Sequence, residues 1–462
     1  MTERFDLAIV NARIVGEDRD GVGGLAVKDG RIAAILDRAA VPDAAETIDA
    51  AGRVLMPGLV DAHVHFSEPG RGHWEGFETG SHAAAAGGIT TFVEMPLNAH
   101  PPTINAEALR LKKAEAEKSI VDYALWGGLV DDNLADLEDL HAGGVAGFKA
   151  FMCTATDFPR IDARLMRAGM TAIAGFSSFL AVHAEDEVMT GRLAAALRAA
   201  GRRDRAAWGE ARPITAELAA IDEAIGLAEE TGARLHIVHV SSAAGIDRIS
   251  AVKARGVAVT AETCPHYLFF DETDLERIGP LAKCAPPLRA PSEREALWER
   301  VLAGAVDVIA SDHSPCLIEE KTAGDDDIFA AWGGISGLQS TLPVLLTEGP
   351  KRGLSLSDIV RMTASNPARL FGFHPKKGSL TIGADADLVL VDPDAEFTLR
   401  EDDLFYRNRH SAYCGATFRG RVDMTIARGT VVYQDGEIHP RRGARLDGAG
   451  LAAVRQPLGE TA

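Results

Sequence analysis

The sequence predicts an α/β fold: a (β/α)8 TIM barrel with a small β-sandwich domain formed from both chain ends. Three observations predict it. Eight short apolar runs, GLVDAHVHF, TTFVEMPL, YALWGGL, GFKAFM, FLAVHAE, RLHIVHVSS, AVTAETCPH and VDVIASDHSP, alternate with Ala/Glu/Arg-rich helical stretches, as in a parallel barrel. Both chain ends read instead as β-rich runs broken by Gly and Asp turns. Histidines and acids recur where the apolar runs stop, and in a barrel those C-terminal strand ends carry the active site.

From the N-terminus, FDLAIVNARIV, GGLAVKDGRIAAIL with its DG turn and ETIDAAGRVLMPG supply the first part of the β domain, residues 1–57. GSLTIGADADLVLVDPD and MTIARGTVVYQDGEI return to the same style, so residues 376–462 complete it, as expected where chain ends lie close together. Residues 58–375 form the barrel. Among its helices, TAELAAIDEAIGLAEETG repeats apolar positions at helical spacing, and SEREALWERVLAG is expected to start with Ser292 as N-cap and Glu295 closing a capping box.

The chain is 46% hydrophobic and 25% charged, which fits a soluble globular protein and gives no basis for disorder. Its net charge of -19 repels phosphate backbones and anionic membranes, so neither nucleic acid nor a membrane is an expected partner. The start, MTERFDLAIV, carries Glu3, Arg4 and Asp6 and too short an apolar run for a signal peptide, and no apolar stretch is long enough to span a bilayer. A cytoplasmic protein is expected. Cys153, Cys264, Cys284, Cys316 and Cys414 include no CxxC pair and read as reduced, buried thiols.

In MPGLVDAHVHFSEPG, His63 and His65 are one residue apart at a strand end, where side chains at i and i+2 project from the same face. Alone, such a pair reads more readily as two satisfied histidines than as metal ligands. Here His183 in AVHAE, His239 in IVHVSS and Asp312 in ASDHSP fall at further strand ends. Lys149 in GFKAFM is the odd residue, in the middle of an apolar strand and aligned with Gly147 and Phe151. A buried unpaired ammonium is costly, and its ordinary explanation is an ion pair with a nearby carboxylate. Beside metal ions an ammonium would repel them, whereas a carbamate formed from its amine and CO2 is an anionic oxygen ligand able to bridge two metals. His63, His65, Lys149, His183, His239 and Asp312 would then make a binuclear site. Two divalent ions outweigh the charge of carbamate, Asp312 and a bridging hydroxide, and the surplus suits polarisation of a neutral carbonyl. The donor set fits Zn2+, with Mn2+, Co2+ and Fe2+ as alternatives.

DAHVHFSEPG, GFKAFM, AVHAE, IVHVSS, ETCPHYL and ASDHSP resemble the cyclic-amide branch of the amidohydrolase superfamily, which holds dihydroorotases, hydantoinases (dihydropyrimidinases) and allantoinases. SEPGRGHWEGFETGSHAAAAGGITTFVEMPLN and AWGGISGLQS are most similar to the allantoinases. The resemblance implies ring opening of a small neutral cyclic ureide, allantoin to allantoate, in purine catabolism by a homo-oligomer, commonly a tetramer. It implies the six residues above as ligands, with Lys149 as N6-carboxylysine. It also implies Asp312 as the catalytic base, passing a proton from water to the leaving ring nitrogen.

Substrate contacts follow from the same resemblance. Dihydroorotases carry Arg two residues after the second histidine, where it holds a substrate carboxylate; this chain has Ser67, which suits a neutral ring. Hydantoinases carry Tyr five residues after the bridging lysine; Thr154 leaves room for a ureido substituent. In relatives the ring is held by backbone groups of the loops matching residues 283–287 and 332–334, which here contain Ala285, in place of a frequent Ser, and Gly333. Asn98 in MPLN either meets the ureido group or only forms a turn. His266 and His313 are read as structural or supporting. The segment CLIEEKTAGDDDIFAAW, residues 316–332, is either a mobile lid or a solvated loop. Two other readings stand beside this one: a hydantoinase/dihydropyrimidinase or dihydroorotase-like hydrolase, and a scaffold homologue without metal, against which all six retained ligand types argue.

Overall fold

The computed structural model describes residues 4–38, 40, 42–154 and 158–448; residues 1–3, 39, 41, 155–157 and 449–462 lie outside it. The eight predicted apolar runs become parallel strands: Leu59–Val64, Ile89–Glu94, Asp122–Leu125 continuing as Gly127–Gly128, Phe148–Phe151, Phe179–His183, Arg234–Ile237, Val259–Thr263 and Val308–Ile309. Each pairs in parallel with the next. Trp126 interrupts the third strand, yet its N–H reaches Glu94 O and the N–H of Gly127 reaches Gly147 O, so the segment stays bonded on both sides. The ring closes between the last and first strands, where His313 bridges Val64 in parallel and accepts at its carbonyl from the N–H of His65 at 2.8 Å.

The two chain ends meet in one nine-stranded sheet rather than in two separate ones. Phe5–Gly16 pairs antiparallel with Arg19–Lys28 along its length and is bulged between Ile9 and Ala12. Before the bulge it pairs with Ala44–Asp49, and beyond it with Val54–Pro57. Val54–Pro57 also pairs antiparallel with Leu388–Thr398, which brings the C-terminal strands into register with the N-terminal ones. Leu7, Ile9 and Leu25 from one end and Leu388, Leu390 and Ile426 from the other form one apolar cluster, so the sheet folds over and covers itself. Gly58 is the step from this sheet into the barrel, and a Cβ there would lie 2.3 Å from Thr90 side-chain atoms, closer than any side chain permits.

The helix Ile214–Thr231 forms over the predicted stretch and ends at Gly232, whose φ of 70° is the left-handed C-terminal turn. The expected capping box at Ser292 does not form. The helix Pro291–Leu302 begins two residues earlier, because Pro291 is preorganised for the first helical position and makes Ala290 the N-cap. No helix among the described residues is long and apolar enough to cross a membrane. All five cysteines are free thiols, four of them buried.

Candidate metal centre

Alternation in the first barrel strand aims Asp61, His63 and His65 the same way. Asp61 is buried and accepts from the N–H of His63 at 3.0 Å and of Ser311 at 3.2 Å, which ties the first strand to the eighth. Across that seam Asp312 Oδ1 stands 3.2 Å from His63 Nε2 and 3.4 Å from His65 Nε2. These three side chains offer ligand atoms within 4.8 Å of one another. His239 continues the arc, its ring 5.5 Å from His63 and 4.6 Å from His183. Lys149 is fully buried with its ammonium 4.8 Å from the Phe151 ring, and that ring stacks on His183. All six predicted ligands therefore gather at one end of the barrel. Ser67, Asn98, His239 and Asp312 have positive φ, of 63°, 64°, 40° and 44°, the kind of strain that clusters at functional sites.

Buried carboxylates behind the rings orient them. Glu262 Oε1 lies 2.8 Å from His63 Nδ1 and accepts from the N–H of His239, and Glu185 Oε2 lies 2.7 Å from His183 Nε2. Arg212 in turn holds Glu185. Burial pushes the His65 imidazole down to about 4, and burial together with His183 and Lys149 keeps His239 well below its usual value. His183 is different: burial opposes its charge, but Cys153 and Glu185 raise it to about 9. Burial also pushes Asp312 and Glu262 up, yet the neighbouring histidines outweigh it, leaving Asp312 well below the usual carboxylate range and Glu262 near about 2. His65 and His239, held neutral beside an ionised Asp312, are in the protonation states that metal ligation requires, whereas His183 has to give up its proton to ligate. Lys149 Nζ and His239 Nδ1 are buried with no hydrogen-bond partner among the described residues, and burial brings Lys149 down to about 8. These residues fit a divalent metal.

The cluster forms the floor of a cavity of about 560 Å³. Asn98, Thr154, Ala285 and Gly333 line it, while Ser67 does not; Ser67 is fully buried beneath, its N–H on Glu94. The Asn98 amide is 3.4 Å from His65 Nδ1, and the Thr154 hydroxyl donates to Glu187. His266 is closer to the centre than a purely structural role requires, since with Cys264 it offers an atom within 4.8 Å of Asp312. His313 turns away, its Nδ1 accepting from Gly337 and Leu338. Residues 316–332 contain a short helix, Ile318–Thr322, and are anchored by the buried ammonium of Lys321 bonded to neighbouring carbonyls, while Asp325, Asp326 and several others are exposed. Sequence reasoning missed Asp61, Glu94, Glu185 and Glu262. Their one signal was a carboxylate within or just after an apolar strand.

A profile of the amidohydrolase family matches residues 54–432. The allantoinase of Rubrobacter xylanophilus is 49% identical over 444 residues, covering 94% of this chain and 95% of that protein. The allantoinase of Deinococcus radiodurans is 46% identical over 437 residues, covering 94% and 96%. Among solved structures, L-hydantoinase (dihydropyrimidinase) from Arthrobacter aurescens superposes with a TM-score of 0.93 at 37% identity, covering 96% of this chain and all of that one. With the family profile spanning most of the chain and these relatives matched along nearly its whole length, the chain belongs to the amidohydrolase family.

Proposed function

We propose that this protein is an allantoinase, a hydrolase that opens the ring of allantoin at a cyclic amide bond to give allantoate. The observation that carries this reading is near-full-length identity to allantoinases of diverse bacteria, joined to a cavity whose floor is the histidine and aspartate cluster. The two cationic side chains lining the cavity are already engaged, Arg212 with Glu185 and Lys283 with Ala331 O, which favours a neutral ring over a carboxylated one.

His63, His65, Lys149, His183, His239 and Asp312 would hold two divalent ions, best Zn2+ with Mn2+, Co2+ or Fe2+ as alternatives. When bound, these supply Lewis-acid polarisation of the ring carbonyl and a water acidified from about 15.7 to about 7. Lys149 joins the ligand set as a carbamate: its neutral amine nitrogen bonds the carbon of CO2 and an N–H proton leaves. Its support is a buried nitrogen with no partner at the edge of the cluster. Asp312, held ionised, is the base that accepts the proton of the attacking water and returns it to the leaving ring nitrogen. Glu262 keeps the His63 ring in place, and Asn98 and the backbone around Ala285 and Gly333 orient the substrate. The family resemblance further supports a cytoplasmic homo-oligomer, a tetramer, in purine catabolism.

The structural likeness to L-hydantoinase favours one second reading, a hydantoinase/dihydropyrimidinase. Purified protein offered allantoin, hydantoin, dihydrouracil and dihydroorotate side by side separates them. Allantoin is expected to be the best substrate by a wide margin; preference for hydantoin or dihydrouracil would give the second reading, and preference for dihydroorotate would refute both. Metal analysis accompanies it, since a well-folded, metal-free, inactive protein would mark a scaffold.

A further inference from the structure

The wall of the cavity contains a buried cation with no carboxylate partner among the described residues. Lys321 is 2% exposed, and its ammonium donates to three main-chain carbonyls: Lys283 O at 3.1 Å, Trp332 O at 3.0 Å and Gly334 O. The first belongs to one cavity-lining loop and the other two to its neighbour. Lys283 answers from the opposite side, sending its own ammonium to Ala331 O while lying over the Trp208 ring at 4.0 Å, and Trp208 Nε1 donates to Cys284 O. The two loops are thus cross-tied by two lysines. Their facing residues line the cavity close together, and a Cβ built on Gly333 would lie 3.9 Å from the Cβ of Ala285.

An ammonium shared by three carbonyls is not an ion pair tuned for stability. Its directed donors hold main-chain segments at set distances, and enzymes use such fixed segments to place a substrate without reorganisation at the moment of reaction. We propose that Lys321 is a positioning residue for the substrate: it clamps residues 283–287 to residues 331–334 and so sets the width of the slot between Ala285 and Gly333. The proposal deepens the reading of this cavity as a cyclic-amide site and rests on it. Lys321 is remote from the proton-transferring Asp312 in role, so loosening it should weaken substrate capture and leave the chemistry of a captured substrate largely intact.

The test is Lys321→Met, which keeps the side chain's bulk and removes its donors, compared with wild type as the metal-loaded protein. Expected are a KM for allantoin raised at least tenfold, kcat within about threefold, unchanged metal per chain, and faster amide hydrogen exchange in peptides covering 283–287 and 331–334 but not in the barrel strands. Unchanged exchange in both loops would overturn the clamp, as would an unchanged KM or a loss confined to kcat. Should Lys321→Met fail to fold, Lys283→Met cuts the reciprocal tie and must give the same KM and exchange defects; wild-type behaviour of that variant overturns the proposal equally. If wild type ignores allantoin but opens another cyclic amide, the substrate assignment fails while the exchange comparison, which needs no substrate, still judges the clamp.

Discussion

His63 is held at both ends of its ring: Nδ1 lies 2.8 Å from Glu262 Oε1, and Nε2 lies 3.2 Å from Asp312 Oδ1. The carboxylate behind the ring fixes the tautomer, leaving the lone pair of Nε2 directed at the cluster. Glu262→Gln should lower metal affinity by about 10–100-fold with the fold retained. Titration of metal-free protein with Zn2+ measures this, and wild-type affinity in the variant would show that Glu262 is only a buried acid.

Lys149 is the proposed ligand whose chemistry would depart most from its genetic identity. Lys149→Ala should lose metal and activity together while remaining folded, and small carboxylic acids should restore part of the activity by supplying bridging oxygens. Lys149→Arg should fail despite its charge, because guanidinium forms no carbamate. Metal-free protein reconstituted without CO2 should recover slowly and bicarbonate should speed it. Substantial activity in the arginine variant would show that Lys149 acts through its positive charge and not as a carbamate.

Arg212 and Glu185 tie metal-free stability to pH. Burial pushes the Glu185 carboxyl up, but Arg212 and His183 outweigh it and hold it down to about 2, below its ordinary 4.5. A depressed carboxyl contributes stability that is full above pH 4.5 and is lost as pH falls toward about 2, in total on the order of 3 kcal/mol. Arg212→Met should return Glu185 toward its ordinary value. In urea unfolding of metal-free protein between pH 5 and 3, the variant should start less stable and lose stability less steeply than wild type. Parallel slopes would remove Arg212 as the cause.

Lys377 is fully buried and reaches Asp122 of the third barrel strand together with Asp385 and Asp387 of the β domain, at 2.5, 2.9 and 2.6 Å. Lys377→Met removes the buried cation shared by these carboxylates, leaving Asp387 without an ion-pair partner among the described residues, and should cost about 3–5 kcal/mol. A fall in the urea midpoint is expected, with kcat per folded, metal-loaded chain unchanged. An unaltered midpoint would show that Arg428 and Arg441, which also reach Asp122, compensate fully.

Much of this protein is written locally. Period-two alternation aligned His63 with His65, the β/α rhythm marked eight strands, and strand ends singled out His183, His239 and Asp312, because side-chain direction and burial pattern are set within a few residues. The capping box expected at Ser292 does not form because a proline at the first helical position moves the helix start by two residues. Ser67 follows the two histidines in sequence, yet it is buried away from the cavity lining with its backbone N–H on Glu94, where the chain turns at positive φ.

Tertiary structure alone decided the rest. Glu262 backs His63 across 199 residues of chain, Lys321 gathers carbonyls from two separate loops, and the two chain ends share one sheet instead of two. Local sequence states that a carboxylate or an ammonium is buried, and burial demands a partner. Which partner it finds depends on how the barrel closes and how the loops above it pack, because those events bring together groups far apart along the chain.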